Sequence, residues 1–339
     1  MARVVEPMTR YTLDSSVRRA GDGRVLIGGS PLVLLRLTVA GADLIDRIER
    51  GEAVSGGPKT AALLDRLLDA DIVHPHHAEG AAPEDVTIVV PAYQPSAQAL
   101  RRIVDACSNT AGVVIVDDAS PQPIAPVVGA TVIRRDVNGG PAAARTTGLE
   151  HVGDSATLVA FVDTDVILSD TWLLPLLAHF ADQRVGLVAP RVAGADPDGR
   201  HPATAAPRLL RYEHAKSPLD LGSAPARVRA GSRVSYVPAA AIVCRRAALD
   251  EVGGFDPALR FGEDVDLVWR LDEGGWRVRY EPEAVVHHEP RPTLKTWMRQ
   301  PPSSSRQTRS TSSPKRNAGS NPPTSSSAAR RQTIAAAGT

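Results

Sequence analysis

Cysteine is almost absent: Cys107 and Cys244 are the two in 339 residues. Two thiols exclude a disulfide-rich scaffold and a four-cysteine zinc site. No sign of charge dominates, with Lys+Arg 39 against Asp+Glu 38 and a net charge of +1. Nucleic-acid binding driven by a global excess of positive charge is thereby disfavoured. No apolar run reaches the ~18 residues of a membrane span. The most apolar stretch, 157–180, is interrupted by Asp163, Asp165 and Asp170. The opening MARVVEPMTR has no apolar core of a signal peptide. These absences set the expectation of a reducing, cytoplasmic setting. What is present, 42% apolar and 23% charged residues, fits globular chain of two or three domains.

The near-neutral total conceals an asymmetry. Residues 301–339 hold six basic residues, no acid, ten serines and five prolines, so the remainder sums to −5. With Ile334 as its one large apolar side chain, this stretch buries too little to offset chain entropy. A disordered basic tail over 299–339 is the expectation. Two origins fit the abrupt change at Gln300: a native tail, or a reading-frame change that replaced folded chain.

Residues 1–80 read as a small α+β unit. Asp22-Gly23 between two apolar-basic runs predicts a hairpin, and 33–37 predicts a further strand. Leu44, Ile45 and Ile48, then Leu63, Leu64, Leu67 and Leu68, have helical spacing. Residues 84–298 alternate strand and helix. Strands are predicted at 86–90, 113–116, 131–133 and 158–162. Helices are predicted through Leu100, Ile103, Val104 and Cys107, through 142–149, and through Leu173, Leu176, Leu177 and Phe180. Such alternation predicts a doubly wound, mostly parallel α/β sheet.

Ligands in such sheets sit beyond the carboxyl ends of the strands. The residues there are Pro91-Ala92-Tyr93-Gln94, Asp117-Asp118 and Asp163-Thr164-Asp165. Asp163 and Asp165 read either as turn and cap residues or as a pair for a hard divalent cation, Mg2+ or Mn2+. Asp117 and Asp118 read as an Asx turn or as acceptors for a base or ribose. Arg145 follows an Asn-Gly-Gly-Pro turn, either as a surface residue or within reach of a phosphate. Asp264 lies in an acidic first helical turn, where the helix dipole alone favours it, or where it acts as a general base. His287 and His288 follow an apolar run and read as structural or as completing a metal site. No G-x-G-x-x-G follows the first buried strand, which disfavours a dinucleotide-binding dehydrogenase. No glycine- and lysine-rich loop appears there for a nucleotidyltransferase.

Taken in order, VVPAYQ (89–94), VDDAS (116–120), NGGPAAARTTGL (138–149), DTD (163–165), GGFDPALRFGEDVDLVWRL (253–271) and PEAVVHH (282–288) resemble the family 2 glycosyltransferases of the GT-A fold. The resemblance implies inverting transfer of a sugar, glucose foremost, from a nucleoside diphosphate sugar such as UDP-glucose. It places Pro91, Tyr93, Asp117, Asp118, Arg145 and Asp163 at the nucleotide. It makes Asp163, Asp165 and His288 the metal residues, with His287 the alternative, and Asp264 the catalytic base. Thr146 stands where the family commonly has Asn. Residues 1–80 resemble a winged-helix module that recognises a precursor peptide. The two parts together resemble the glycosyltransferases of the mycofactocin system, which implies a peptide-derived acceptor. Family members continue with further folded, partly apolar chain, which adds a peripheral contact with the inner face of the membrane to the expectations. A non-catalytic scaffold binding a peptide or nucleotide is the competing reading.

Overall fold

The computed structural model describes residues 9–153, 156–194 and 219–288. The expected tail over 299–339 lies outside the described residues, as do residues 195–218. Among the described residues no helix is long and apolar enough to cross a membrane.

The amino-terminal part runs β1 (Arg10–Leu13), β2 (Arg18–Ala20), β3 (Val25–Gly28), β4 (Val33–Arg36), α1 (Val39–Glu49), α2 (Pro58–Asp69) and β5 (Val73–His76). Strands β2, β3 and β4 form an antiparallel sheet, and β1 pairs with β5. The predicted hairpin is present, but its turn is longer than Asp-Gly alone. Gly21, Asp22 and Gly23 all take positive φ, and the Arg24 N–H donates to the Gly21 carbonyl. Helix α1 starts where the Thr38 hydroxyl accepts the Gly41 N–H at 3.1 Å, satisfying one of its free donors. Leu26, Ile45, Leu67 and Ile72 close this part's own core.

The remaining elements are β6 (Val86–Ala92), α3 (Ala97–Ala106), β7 (Gly112–Asp117), β8 (Thr131–Arg134), α4 (Gly140–Glu150), β9 (Leu158–Val162), β10 (Val166–Ile167), α5 (Leu174–Ala178), β11 (Val185–Gly194), β12 (Ala226–Val228), β13 (Ala241–Arg245), α6 (Arg246–Val252), α7 (Glu263–Glu273) and β14 (Arg277–His288). The strands make one mixed, mostly parallel sheet in the order β10-β14-β11-β13-β9-β6-β7-β8, with β12 beside β14. Strands β6, β7, β8, β9, β11 and β14 run one way, while β10, β12 and β13 oppose them. The carboxyl ends of β6, β7, β9 and β14 therefore share one edge.

Continuous apolar sequence builds the sheet because both faces are covered. On β6, Ile88 and Val90 pack with Leu100 and Ile103 of α3 on one side. Val89 packs with Phe161 and the Leu267 cluster on the other. Helix α4 approaches β6 through Gly148, where a Cβ would meet Val89 Cγ1 at 2.3 Å. Gly148→Ala is expected to cost about 1–3 kcal/mol by overpacking, read as a lowered midpoint in urea denaturation.

Ionic contacts weld the amino-terminal part to the start of β14. Arg277, 3% exposed, binds Asp65 at 2.8 Å and Asp69 at 2.9 Å, both on α2, and Asp182 at 2.7 Å. Arg279 reaches His74 Nδ1 at 3.2 Å, and His74 Nε2 meets Asp14 at 2.9 Å. The Arg227 N–H of β12 donates to buried Asp71 at 2.6 Å. These contacts gather at the amino end of β14, and His288 lies at its far end. At ~3.3 Å per residue the two ends stand roughly 35 Å apart.

Candidate functional site

At the carboxyl end of β6, Pro91 and Ala92 are buried and Tyr93 is exposed. Gln94 turns the chain with φ 52°, and its N–H donates to the Ser120 hydroxyl at 2.9 Å. That bond ties the loop after β6 to the loop after β7.

Asp117 and Asp118 spend their carboxylates on the protein. Asp117 accepts from Ser120 N–H at 2.9 Å, from Ile124 N–H at 3.1 Å and from the Arg134 guanidinium. Burial pushes its pKa upward, but these donors outweigh burial and the net shift is down. Asp118 accepts from Gly139 N–H at 3.0 Å and Gly140 N–H at 2.8 Å, where the exposed donors and dipole of the α4 N-terminus favour an anion. The resemblance puts both at a nucleotide. The structure makes them the brace that fixes the rim between Tyr93 and α4.

Arg145 is not a surface residue but the buried centre of an ion-pair cluster. It is 2% exposed. Its guanidinium donates to Asp163 Oδ1 at 2.7 Å, to Glu263 Oε1 at 3.0 Å and to the Ala239 carbonyl at 3.3 Å. It also lies 5.2 Å from the Phe255 ring centre, a cation–π distance. The physical reason is charge. A buried guanidinium needs carboxylates around it, and two are supplied from different elements.

Asp163 follows β9 and is held by its own N–H to the Ala240 carbonyl at 2.8 Å. Its side chain keeps 31% exposure, open on one side of a crowded site. Burial, assisted by Asp165 and Glu263 and opposed by Arg145, lifts its pKa to about 6. Antiparallel pairing of β10 with β14 sets Val166 opposite His288. That register brings His288 Nε2 to 3.1 Å from Asp165 Oδ2. Gly262, at φ 76°, turns the chain into α7, whose first residues are Glu263 and Asp264. Asp264 Oδ1 accepts the Val265 N–H at 2.8 Å. Burial and the adjacent Glu263 charge push the Asp264 pKa up to about 6.

The structure thus gathers Asp163, Asp165, His288, Arg145 and the start of α7 on one sheet edge, with Asp118 bracing the helix that carries Arg145. Sequence reasoning does not single out Glu263, because an acid opening a helix looks like ordinary dipole matching. Asp163, Asp165, Glu263 and Asp264 set four acids beside a single buried guanidinium, an arrangement short of positive charge. Among the described residues no three His, Cys, Asp or Glu side chains close around a metal by themselves. Two carboxylates and an imidazole leave coordination positions for substrate oxygens, which suits Mg2+ or Mn2+. A groove of about 820 Å3 runs between α3 and residues 121–128, with Gln94 in its lining.

Residues 87–252 match the family described as Glycosyl transferase family 2. Two pre-mycofactocin glycosyltransferases, from Mycobacterium tuberculosis strains CDC 1551 and H37Rv, are each 44% identical over 294 residues. The match covers 84% of this chain and 59% of each relative, so the chain spans about three-fifths of their length. The succinoglycan biosynthesis protein ExoW of Rhizobium meliloti is 37% identical over 102 residues, 26% of this chain and 32% of that protein. A crystal structure of GalNAc-T7 with UDP, GalNAc and Mn2+ superposes with a TM-score of 0.48 at 16% identity, over 70% of this chain and 53% of that one.

Proposed function

The chain belongs to the family 2 glycosyltransferases, and from that premise we propose that its strand-edge site transfers a sugar with inversion from a nucleoside diphosphate to an acceptor hydroxyl. One observation carries the reading: Arg145 joins Asp163, at the end of β9, to Glu263, the neighbour of Asp264. Donor-side acid and candidate base are thereby parts of one site.

Asp163, Asp165 and His288 would hold Mg2+ or Mn2+. The bound ion supplies neutralisation of the charge that gathers on the departing diphosphate. Tyr93 and the rim braced by Asp117 and Asp118 would seat the nucleoside. Asp264 takes the proton of the acceptor hydroxyl as that oxygen bonds to the anomeric carbon. The bond from that carbon to the diphosphate oxygen breaks, and its electron pair leaves with the diphosphate. The sequence resemblance supplies UDP-glucose as the proposed donor and a peptide-derived acceptor, and two pre-mycofactocin glycosyltransferases are among the relatives. Following the sequence resemblance, we assign the amino-terminal part recognition of a peptide, as in a winged-helix module, and the protein a cytoplasmic site of action.

The test is calorimetric titration of the full chain with UDP, with and without Mn2+, followed by UDP release from UDP-glucose plus acceptor. Asp165→Ala is expected to weaken Mn2+-dependent UDP binding by at least about tenfold, since even outer partners of a metal commonly cost 10–100-fold. Equal UDP binding with and without the metal removes the assignment of these three residues. UDP binding with no turnover returns the scaffold reading.

A further inference from the structure

We propose that Glu263 is a positioning residue which, through Arg145, sets where the Asp264 carboxylate stands relative to the donor acids. The inference rests on the glycosyltransferase reading of the site. Glu263 is largely withdrawn from solvent at 12% side-chain exposure, and its Oε1 accepts from Arg145 Nη1 at 3.0 Å. The other arm of the same rigid fork holds Asp163 Oδ1 at 2.7 Å. A planar guanidinium fixes the spacing and direction of its two acceptors. Asp163 and Glu263 thus come to the site in a set relation, although they lie 100 positions apart in the chain.

Apolar packing places the body of α7 on the sheet, with Leu267, Val268 and Leu271 in one core with Val159 and Phe161 of β9, but that packing begins a full turn after Glu263. Gly262 opens the helix with φ 76° and gives it no side-chain cap, so the first turn lacks the usual hydrogen-bonded anchor. One turn later Asp266 binds Arg270, which donates to the Val252 and Gly254 carbonyls. That contact fixes α7 to the loop before it, not to the donor acids. Among the described residues, the Glu263–Arg145–Asp163 bridge is the hydrogen-bonded contact that joins this first turn to Asp163. Asp264 follows Glu263 directly, so a shift of the first turn moves its carboxylate. Misplacement by about 1 Å is enough to cost on the order of 10²-fold in rate.

The experiment measures kcat and donor KM per UDP-binding site for Glu263→Gln, Glu263→Asp and Glu263→Ala in the full chain. Binding sites are counted by UDP calorimetry, so loss of folded protein does not register as loss of rate. Glu263→Asp keeps the charge and is one methylene short of Arg145. It is expected to lower kcat about tenfold or more with donor KM changed less than about twofold. Glu263→Ala is expected to fall further, and Glu263→Gln, which still accepts from Arg145, to stay within about threefold of the parent. Parental kcat per site in Glu263→Asp overturns the proposal, as does a Gln variant as slow as the Ala variant. An unaltered chain that binds UDP and turns over no sugar nucleotide overturns the glycosyltransferase reading, and this inference with it.

Discussion

Asp264→Asn is expected to lower turnover about 10²–10⁴-fold, the usual contribution of a positioned base, while UDP binding stays close to that of the parent. Asparagine has nearly the shape of aspartate but cannot take the acceptor proton. The pH profile supplies a second readout. The Asp264 carboxyl is pushed up to about 6 by burial and by Glu263, so transfer should rise with pH through about 6 as the base ionises. The stability consequence has a definite sign. An acid whose pKa is raised on folding binds its proton more tightly when folded, so stability is lost as pH rises from the ordinary carboxylate range through about 6. Asparagine escapes that loss. The variant should therefore be at least as stable as the parent at pH 8, and the difference should close at pH 4. A folded, UDP-binding Asp264→Asn protein that transfers sugar at the parental rate would remove Asp264 from the mechanism.

Arg277→Ala is expected to cost about 3 kcal/mol, the lower end of the ~3–5 kcal/mol typical for breaking a buried ion pair. The lower end applies because Asp65 and Asp69 are more than a third exposed and recover water when the guanidinium is lost. Asp182 is more enclosed. Burial pushes its pKa up, Arg277 together with the Arg184 N–H pulls it down, and the net shift is down. Its share of stability is therefore present above the ordinary carboxylate pKa and lost as pH falls below about 4. Equilibrium urea denaturation at pH 7 and pH 3 measures both effects, and the gap between parent and variant should narrow in acid. An unchanged midpoint at pH 7 would show that the weld at the start of β14 contributes little.

Much of the sheet was legible because its strands carry continuous β-branched sequence. Val86 to Val90 and 113–116 could be read in place, and the helix through Leu100, Ile103 and Val104 followed from spacing. Strands β11 and β13 were not read. Gly186 and Pro190 interrupt the first, and the second is only five residues long and follows Ala239 and Ala240, so neither shows a strong strand signal. Strand β1 escaped because its partner β5 lies some sixty positions away. At the site, residue types at strand ends were readable, since topology delivers them to one edge. Partners were not. Nothing in the local sequence around Arg145 shows that Asp163 and Glu263 will meet on its two arms. Such contacts come from long-range packing, which periodicity does not encode.

The placement of the amino-terminal part at the amino end of β14, away from His288, has a consequence for any substrate gripped there. A polypeptide chain covers at most ~3.3–3.6 Å per residue, and the length of β14 alone sets its two ends roughly 35 Å apart. A captured peptide would need upward of about ten residues of slack before its modified end could travel round the molecule to Asp264.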